Sequence, residues 1–141
     1  MKEVEIYIDG ASKGNPGPSG IGVVICRDGE TIKNISSYIG EATNNVAEYT
    51  ALIYGLQEGL ITQAESIKIN TDSQLLHRQI TKAYKVKNAH LLGLYNQVIH
   101  LMSAFKKVKI NHIPRAQNRG ADKLASKAVK EARLPAGEVV K

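Results

Sequence analysis

Cysteine is almost missing from this chain of 141 residues. Cys26 stands alone, so no internal disulfide can form, and without a second thiol or a Cys/His pair at zinc spacing no thiolate metal site can form either. Any metal must be held by oxygen. Long apolar runs are also missing: the longest fall far short of the ~20 residues a membrane span needs, and the opening MKEVEIYIDG has no apolar signal-peptide core. A cytoplasmic protein without a membrane partner is expected. Repeats and low-complexity stretches are absent, and 43% hydrophobic with 23% charged residues fits one globular domain rather than a disordered tail. A chain of this length buries roughly two-thirds of its unfolded surface.

What charge there is divides unevenly. Residues 1–75 carry five Lys/Arg against ten Asp/Glu, and residues 76–141 carry fourteen against three, which together give the net +6. A basic half suits a polyanionic partner, because neutralised phosphates release counterions. An acidic half offering oxygen ligands suits divalent cations. On charge alone, lysines that merely solvate helix faces explain the basic half equally well.

Hydropathy patterning gives alternating elements. Val4, Ile6 and Ile8 alternate with Glu5, Tyr7 and Asp9, the period-2 pattern of a strand covered on one face, ending at Asp9-Gly10. A glycine- and proline-rich loop leads to a strand over 21–27, and Asp28-Gly29 predicts a hairpin into 31–39. Thr43 or Asn44 can cap a helix in which Tyr49, Leu52, Ile53, Leu56 and Leu60 recur at helical spacing. A strand follows over 66–71, and the intervening helix makes it a parallel neighbour of the first. Helices over 72–83 and 89–105, a strand over 108–112 and a helix over 121–134 complete the order βββαβααβα. An α/β domain over 1–134 is expected, with a five-stranded mixed sheet (three antiparallel strands, then parallel additions) and helices on both faces. Residues 135–141 read as a flexible tail.

Four carboxylates take defined places in this scheme. Asp9 ends the first strand, Asp72 ends the fourth, Asp122 opens the last helix, and Glu48 shares the helical phase of the core residue Leu52, so it points inward. Parallel neighbouring strands share a carboxyl edge, where open α/β sheets gather their sites. Taken singly, an inward Glu near a helix start is more often a dipole partner or half of a buried ion pair, and an Asp at a strand end a turn former. Coincidence at one edge changes that. No Lys or Arg lies between Lys33 and Lys68 to neutralise Glu48 locally, and crowded anions either protonate or recruit cations, with magnesium the expected one.

DGASKGNPGPSG at 9–20, TNNVAEYTAL at 43–52, INTDSQLL at 69–76 and NHIPRAQNRGADKLA at 111–125 resemble, in order, the four blocks of the type 1 ribonuclease H family. The resemblance covers nearly the whole chain. It implies a ribonuclease H-like fold and a nucleic-acid-binding endonuclease, a hydrolase that cuts the RNA strand of an RNA–DNA hybrid to 3′-hydroxyl and 5′-phosphate ends. Asp9, Glu48, Asp72 and Asp122 match the family's catalytic, metal-binding acids, with Mg2+ as two ions and Mn2+ as a substitute. Asp9 is expected to bridge, with Glu48 and Asp72 on one side and Asp122 on the other. Such ions about 4 Å apart activate the attacking water and stabilise the departing O3′.

The same resemblance assigns other positions. His112 matches a loop histidine that handles protons near the leaving group, a task suited to a side chain titrating near neutrality, although its alternation with Val108 and Ile110 also fits a half-buried strand residue. His77, His90 and His100 lack partners at ligand spacing and read as structural. Asn15, Asn44, Asn45 and Gln74 match contacts to the hybrid, whose ribose hydroxyls an amide can both donate to and accept from. Thr43 matches a phosphate contact on the DNA strand, and helix capping by Asn44-Asn45 is compatible with contact. Asn118 is expected to position the loop before Asp122 and to take part in substrate binding, and Gly10 to let the backbone approach the RNA strand.

One departure matters. Larger bacterial members carry a Trp- and Lys-rich extra helix where this chain has only Tyr84-Lys85-Val86-Lys87, and there is no tryptophan at all. The chain therefore resembles the short, protrusion-free subgroup, and no amino-terminal hybrid-binding module is expected, the first strand starting at residue 4. Lys82, Lys85, Lys87, Lys106, Lys107, Lys109, Arg115 and Arg119 are candidates for the grip on DNA. Besides the endonuclease, a weakly active or non-catalytic hybrid-binding module and another nuclease on the same fold stay open. A monomer is expected, since Lys33 and Ser36-Ser37 oppose pairing at the edge strand.

Overall fold

A computed structural model describes residues 2–82 and 84–132. The expected tail at 135–141 and the end of the last helix at Leu134 lie outside the described residues. The elements are β1 (Glu3–Ser12), β2 (Gly17–Arg27), β3 (Glu30–Ala42), α1 (Asn44–Ile61), β4 (Ser66–Thr71), α2 (Gln74–Ile80), α3 (Ala89–Met102), β5 (Lys107–His112) and α4 (Arg119–Glu131), with a short 3-10 turn at Arg115–Gln117. The sheet order is β3-β2-β1-β4-β5, antiparallel across β3-β2-β1 and parallel across β1-β4-β5.

Local chemistry accounts for the joints. Asp28 and Gly29 adopt φ of 53° and 80°, the positive pair that a two-residue hairpin turn between twisted strands requires. Thr43 is the cap of α1, its hydroxyl accepting from the Val46 N–H at 3.2 Å, and Ser73 does the same for α2 at Leu76.

Alternation along the strands sends Val4, Ile6, Ile8, Ile21, Val23, Ile25, Ile67 and Ile69 into one apolar layer. Leu52 and Leu56 of α1 and Val98 of α3 join them there. Each fully buried aliphatic side chain contributes about 1.5–3 kcal/mol. The opposite face carries α4, packed on β2, β1 and β3. There the sheet floor is glycine: a Cβ on Gly22 would collide with the Ala121 carbonyl oxygen and lie 2.7 Å from the Ala125 nitrogen, and one on Gly20 would lie 2.7 Å from the Ala128 Cβ. Backbone thus packs directly on backbone.

Several boundaries differ from the sequence reading. β1 runs on to Ser12 and β2 begins at Gly17, because Ala11 pairs with Gly20, Ser12 with Ser19, and Gly17 with Ala42. Gly20, which read as loop, is there to admit α4. Helix α2 is the short Gln74–Ile80, and α3 stops at Met102, after which the N–H groups of Ala104 and Phe105 bond to Leu101 and Met102 in tight turns. Phe105 nonetheless stays buried.

Candidate active site

Parallel pairing of β1 with β4 ends at Ile8 opposite Thr71, so Asp9 and Asp72 leave the sheet side by side at its carboxyl edge. Glu48 reaches the same place because α1 crosses β1 at Gly10. A Cβ there would lie 2.6 Å from the Glu48 nitrogen and strike the Ala47 carbonyl carbon, so the position tolerates only glycine. The Gly10 N–H lies beside the carboxyls of both Asp9 and Glu48 and favours their charged forms. Asp9, Glu48 and Asp72 each offer an oxygen, all within 4.8 Å of one another.

Asp122 enters from the far face, in the first turn of α4, and hydrogen-bonds to Asp9. It also meets Arg115 at 3.6 Å, a long contact to a guanidinium that is 81% exposed and therefore well screened. That arginine leaves the trio of Asp9, Glu48 and Asp72 without a cation. Burial first, then the charge of Asp72 and the hydrogen bond to Asp122, push the Asp9 carboxyl up to about 8. Burial and the charges of Asp9 and Asp72 hold Glu48 well above the usual carboxylate range. One Glu48 oxygen, Oε2, is buried without any hydrogen-bond partner. A buried carboxylate oxygen left bare beside two others is the donor set of a hard divalent cation, and the site can hold one.

The four acids line one cleft of about 380 Å³, together with Gly10, Ser12, Asn44, Asn45, Ser73 and Ser126. Asn44 accepts from the Ser12 N–H at 3.0 Å and donates its own N–H to the Asn15 side chain at 2.8 Å, tying the β1–β2 turn to the start of α1. Asn15, Thr43, Asn44 and Asn45 also line a neighbouring cleft of about 470 Å³ with Asn88 and His90. Gln74 lies outside the walls of both clefts, in the first turn of α2, where its carbonyl oxygen accepts from Arg78. Asn118 is buried behind the acids, donating to the Ile8 carbonyl oxygen at 2.9 Å and to Asp72 at 3.2 Å. That place makes it a positioning residue for Asp72 rather than part of the open cleft wall.

His112 is exposed at the end of β5 rather than half-buried, with its ring 6.0 Å from that of His77. Its strand neighbours Val108 and Ile110 are the half-buried ones. Lys106 pairs with Glu65 at 2.8 Å beside the start of β4, at the opposite sheet edge from the acids, which removes it from the candidates for gripping a substrate there. Sequence reasoning missed Ser73, Ser126, Asn88 and His90 as cleft residues. Ser126 carried a readable signal, four residues beyond Asp122 on the same side of a helix.

A sequence profile of the reverse transcriptase-like family matches residues 7–128. Among curated relatives, the bifunctional protein Rv2228c of Mycobacterium tuberculosis is 43% identical over 129 residues, 90% of this chain and 35% of that protein. The chain thus spans about a third of the length of the first relatives it matches. The ribonuclease H of Erythrobacter litoralis is 39% identical over 142 residues, 91% of this chain and 96% of its own. Among solved structures, LC11-RNase H1 in complex with an RNA/DNA hybrid superposes with a TM-score of 0.86 at 40% identity, covering 92% of this chain and 98% of that one.

Proposed function

The chain belongs to the ribonuclease H family, and on that premise we propose that it is a divalent-metal-dependent endonuclease. It hydrolyses the RNA strand of RNA–DNA hybrids and leaves 3′-hydroxyl and 5′-phosphate ends. The observation that carries this reading is the convergence of one oxygen each from Asp9, Glu48 and Asp72 within 4.8 Å, with Glu48 Oε2 buried and without a hydrogen-bond partner. LC11-RNase H1, similar along nearly its whole length, has been solved with a hybrid, which supports the substrate.

Magnesium, as two ions, is the cofactor we assign, with manganese as substitute, because an all-oxygen donor set with few protein ligands suits an ion that keeps its waters. Bound there, it supplies the charge that activates the attacking water and stabilises the departing O3′. Asp9, which touches Glu48 and Asp72 on one side and Asp122 on the other, is the ligand to be shared.

The remaining work falls to the chain itself. The Gly10 N–H aims two of the carboxyls, and Asn118 holds Asp72 against the end of β1. Asn44 and Asn45, at the junction of the two clefts, present amides to ribose hydroxyls, while Asn15 and Thr43 face the second strand. Proton exchange at the leaving oxygen is assigned to the exposed His112. Gln74 extends the contact surface at the start of α2.

No helix of the described residues is long and apolar enough to cross a membrane. A monomer acting in the cytoplasm completes the reading, supported by Lys33 on the β3 edge, where it pairs with Glu58 at 3.0 Å. The test is incubation of labelled hybrid, duplex DNA, duplex RNA and single strands with and without magnesium. Internal cuts confined to the RNA of the hybrid and dependent on the metal are expected. Salt-sensitive hybrid binding with no cutting in magnesium or manganese would overturn catalysis, and cuts in other substrates would overturn the specificity.

A further inference from the structure

The acidic cleft has a second neighbour, on the α4 side. A groove of about 240 Å³ is lined by Ala11, Ser12, Lys13, Ser126, Val129 and Lys130, and it shares Ala11, Ser12 and Ser126 with the wall of the acidic cleft. The two hollows are therefore continuous.

Helix geometry explains the connection. Asp122, Ser126 and Lys130 stand four residues apart on one side of α4, so a single stripe passes from carboxylate through hydroxyl to ammonium over about 12 Å of helix. Across the groove, the β1–β2 turn presents Lys13. That turn is tied by the Lys13 N–H donating to the Pro18 carbonyl oxygen at 2.9 Å, and Gly17 packs so tightly beneath it that a Cβ would strike the Lys13 carbonyl oxygen. Lys13 is thus carried on a fixed turn. Among the described residues neither Lys13 nor Lys130 joins an ion pair, and the Ser126 hydroxyl makes no hydrogen bond.

We propose that this groove binds the phosphates of the nucleic-acid strand lying in the acidic cleft, one step away from the phosphate being cut, with Lys13 and Lys130 as the charge partners and Ser126 as a donor. The argument is one of sign and continuity. A strand whose phosphate sits among the carboxylates must carry its next phosphates out of that cleft. On the α1–α3 side the wall is neutral, made of asparagines, threonine and histidine, whereas on the α4 side it holds two uncommitted ammonium groups. Phosphates leaving towards α4 meet the positive charge. The assignment rests on the hybrid-cutting reading for the identity of the strand, but backbone binding in the groove is measurable without cleavage.

The experiment compares the full chain with Lys13→Ala/Lys130→Ala, with Lys130→Ala and Lys130→Glu singly, and with Lys127→Ala as a charge loss on α4, outside the groove, matched to Lys130→Ala. Equilibrium binding of an RNA–DNA hybrid is measured against salt without divalent metal, and cleavage is measured separately in magnesium. The double variant is expected to bind roughly tenfold more weakly at 0.1 M salt, with the slope of log K against log salt reduced by about two, near 0.9 per lost phosphate contact. Lys130→Glu weakens binding further than Lys130→Ala, and Lys127→Ala leaves the slope nearly unchanged. An unaltered slope in the double variant, or an equal effect from Lys127→Ala, overturns the groove. Failure of the wild-type chain to cut in magnesium, with the slope loss still present, overturns the catalytic reading and leaves the groove standing.

Discussion

The two faces of the sheet are built on opposite principles. Towards α1, large aliphatic side chains fill most of the interface: a Cβ on Gly55 would meet methyl groups of Ile6 and Ile8 at 3.2 and 3.3 Å, Gly59 is pressed against the Ile67 side chain, and at Gly10, on the active edge, β1 backbone meets α1 backbone. Towards α4, the strand has no side chain at Gly20 or Gly22, and small residues Ala121, Ala125 and Ala128 bring helix backbone onto sheet backbone. The first arrangement maximises area removed from water. The second buries less and fixes distance more tightly, and it is this helix that delivers Asp122 to Asp9. Away from the Gly10 crossing that seats Glu48, stability and placement of charge are thus separated across the thickness of the sheet.

Breaking that separation begins with the largest effect. Asp9→Asn is expected to lower metal-dependent cleavage by about 10³-fold or more, since it removes the carboxylate shared among the others, while leaving the thermal midpoint unchanged or higher. Leu56→Ala, fully buried on the α1 face, should do the reverse: a loss of about 2–5 kcal/mol, with the folded fraction still active. Denaturant unfolding and cleavage rates corrected for folded fraction check both. If Asp9→Asn unfolds the chain, or Leu56→Ala silences the remaining folded protein, the two faces are not separable.

A matched pair sharpens the comparison at the next scale. Gly22→Ala drives a methyl into the Ala121 carbonyl and is expected to cost about 2–4 kcal/mol. It should also slow cleavage by the folded fraction, because α4 must move and takes Asp122 with it. Gly55→Ala meets only methyl groups and gains about 1 kcal/mol of helix propensity, so its net change is expected within about 1 kcal/mol. Equal costs at the two glycines would show that both faces are held by close backbone approach.

Sequence pattern carried the α1 face and much less of the α4 face. Ile6, Ile8, Ile67 and Ile69 announce themselves by alternation, and Leu52 and Leu56 by helical spacing, because burial of large side chains writes a period into the chain. The family-like blocks carried the acids, and the inward phase of Glu48 was readable from Leu52 alone. Gly20 read instead as loop and Gly22 as an ordinary strand position, since a position that must be empty carries no mark of what fills the space above it. Likewise Asn118 read as positioning the loop before Asp122 and contacting substrate, for nothing local reveals that a distant carbonyl, Ile8, occupies its amide. Long-range contacts made by absent or polar side chains leave no periodic trace.

The crowded carboxyls make the edge between the faces sensitive to pH. In the unfolded chain an Asp titrates near 3.9, whereas in the folded protein burial and its neighbours raise Asp9 to about 8. Between those values the folded state binds the extra proton, so without metal the contribution to stability is full below about pH 4 and is lost as pH rises through about 8. Melting in the absence of divalent cations should therefore show a midpoint that falls by several degrees from pH 5 to pH 8.5. Added magnesium should raise the midpoint more at pH 8.5 than at pH 5, because it competes with the same protons. A midpoint that rises with pH in metal-free buffer would mean the acids are not packed against one another as described.

The smallest effect belongs to the ion pair that ties α1 to the edge strand. Lys33 reaches Glu58 at 3.0 Å, with the glutamate side chain only 12% exposed and the lysine 52% exposed. Half of the pair is covered, yet its cation stands in water, where screening leaves a typical pair worth under about 1 kcal/mol. Glu58→Gln keeps the shape and removes the charge, so it isolates that contribution from packing. The expected cost is below about 1 kcal/mol at low salt and fades in 1 M salt, where the screening length is about 3 Å. A cost above about 2 kcal/mol that survived high salt would show that α1 is pinned to the sheet by charge as well as by aliphatic packing. The α1 face would then draw on charge, beyond the Gly10 crossing, for the geometric precision assigned above to α4.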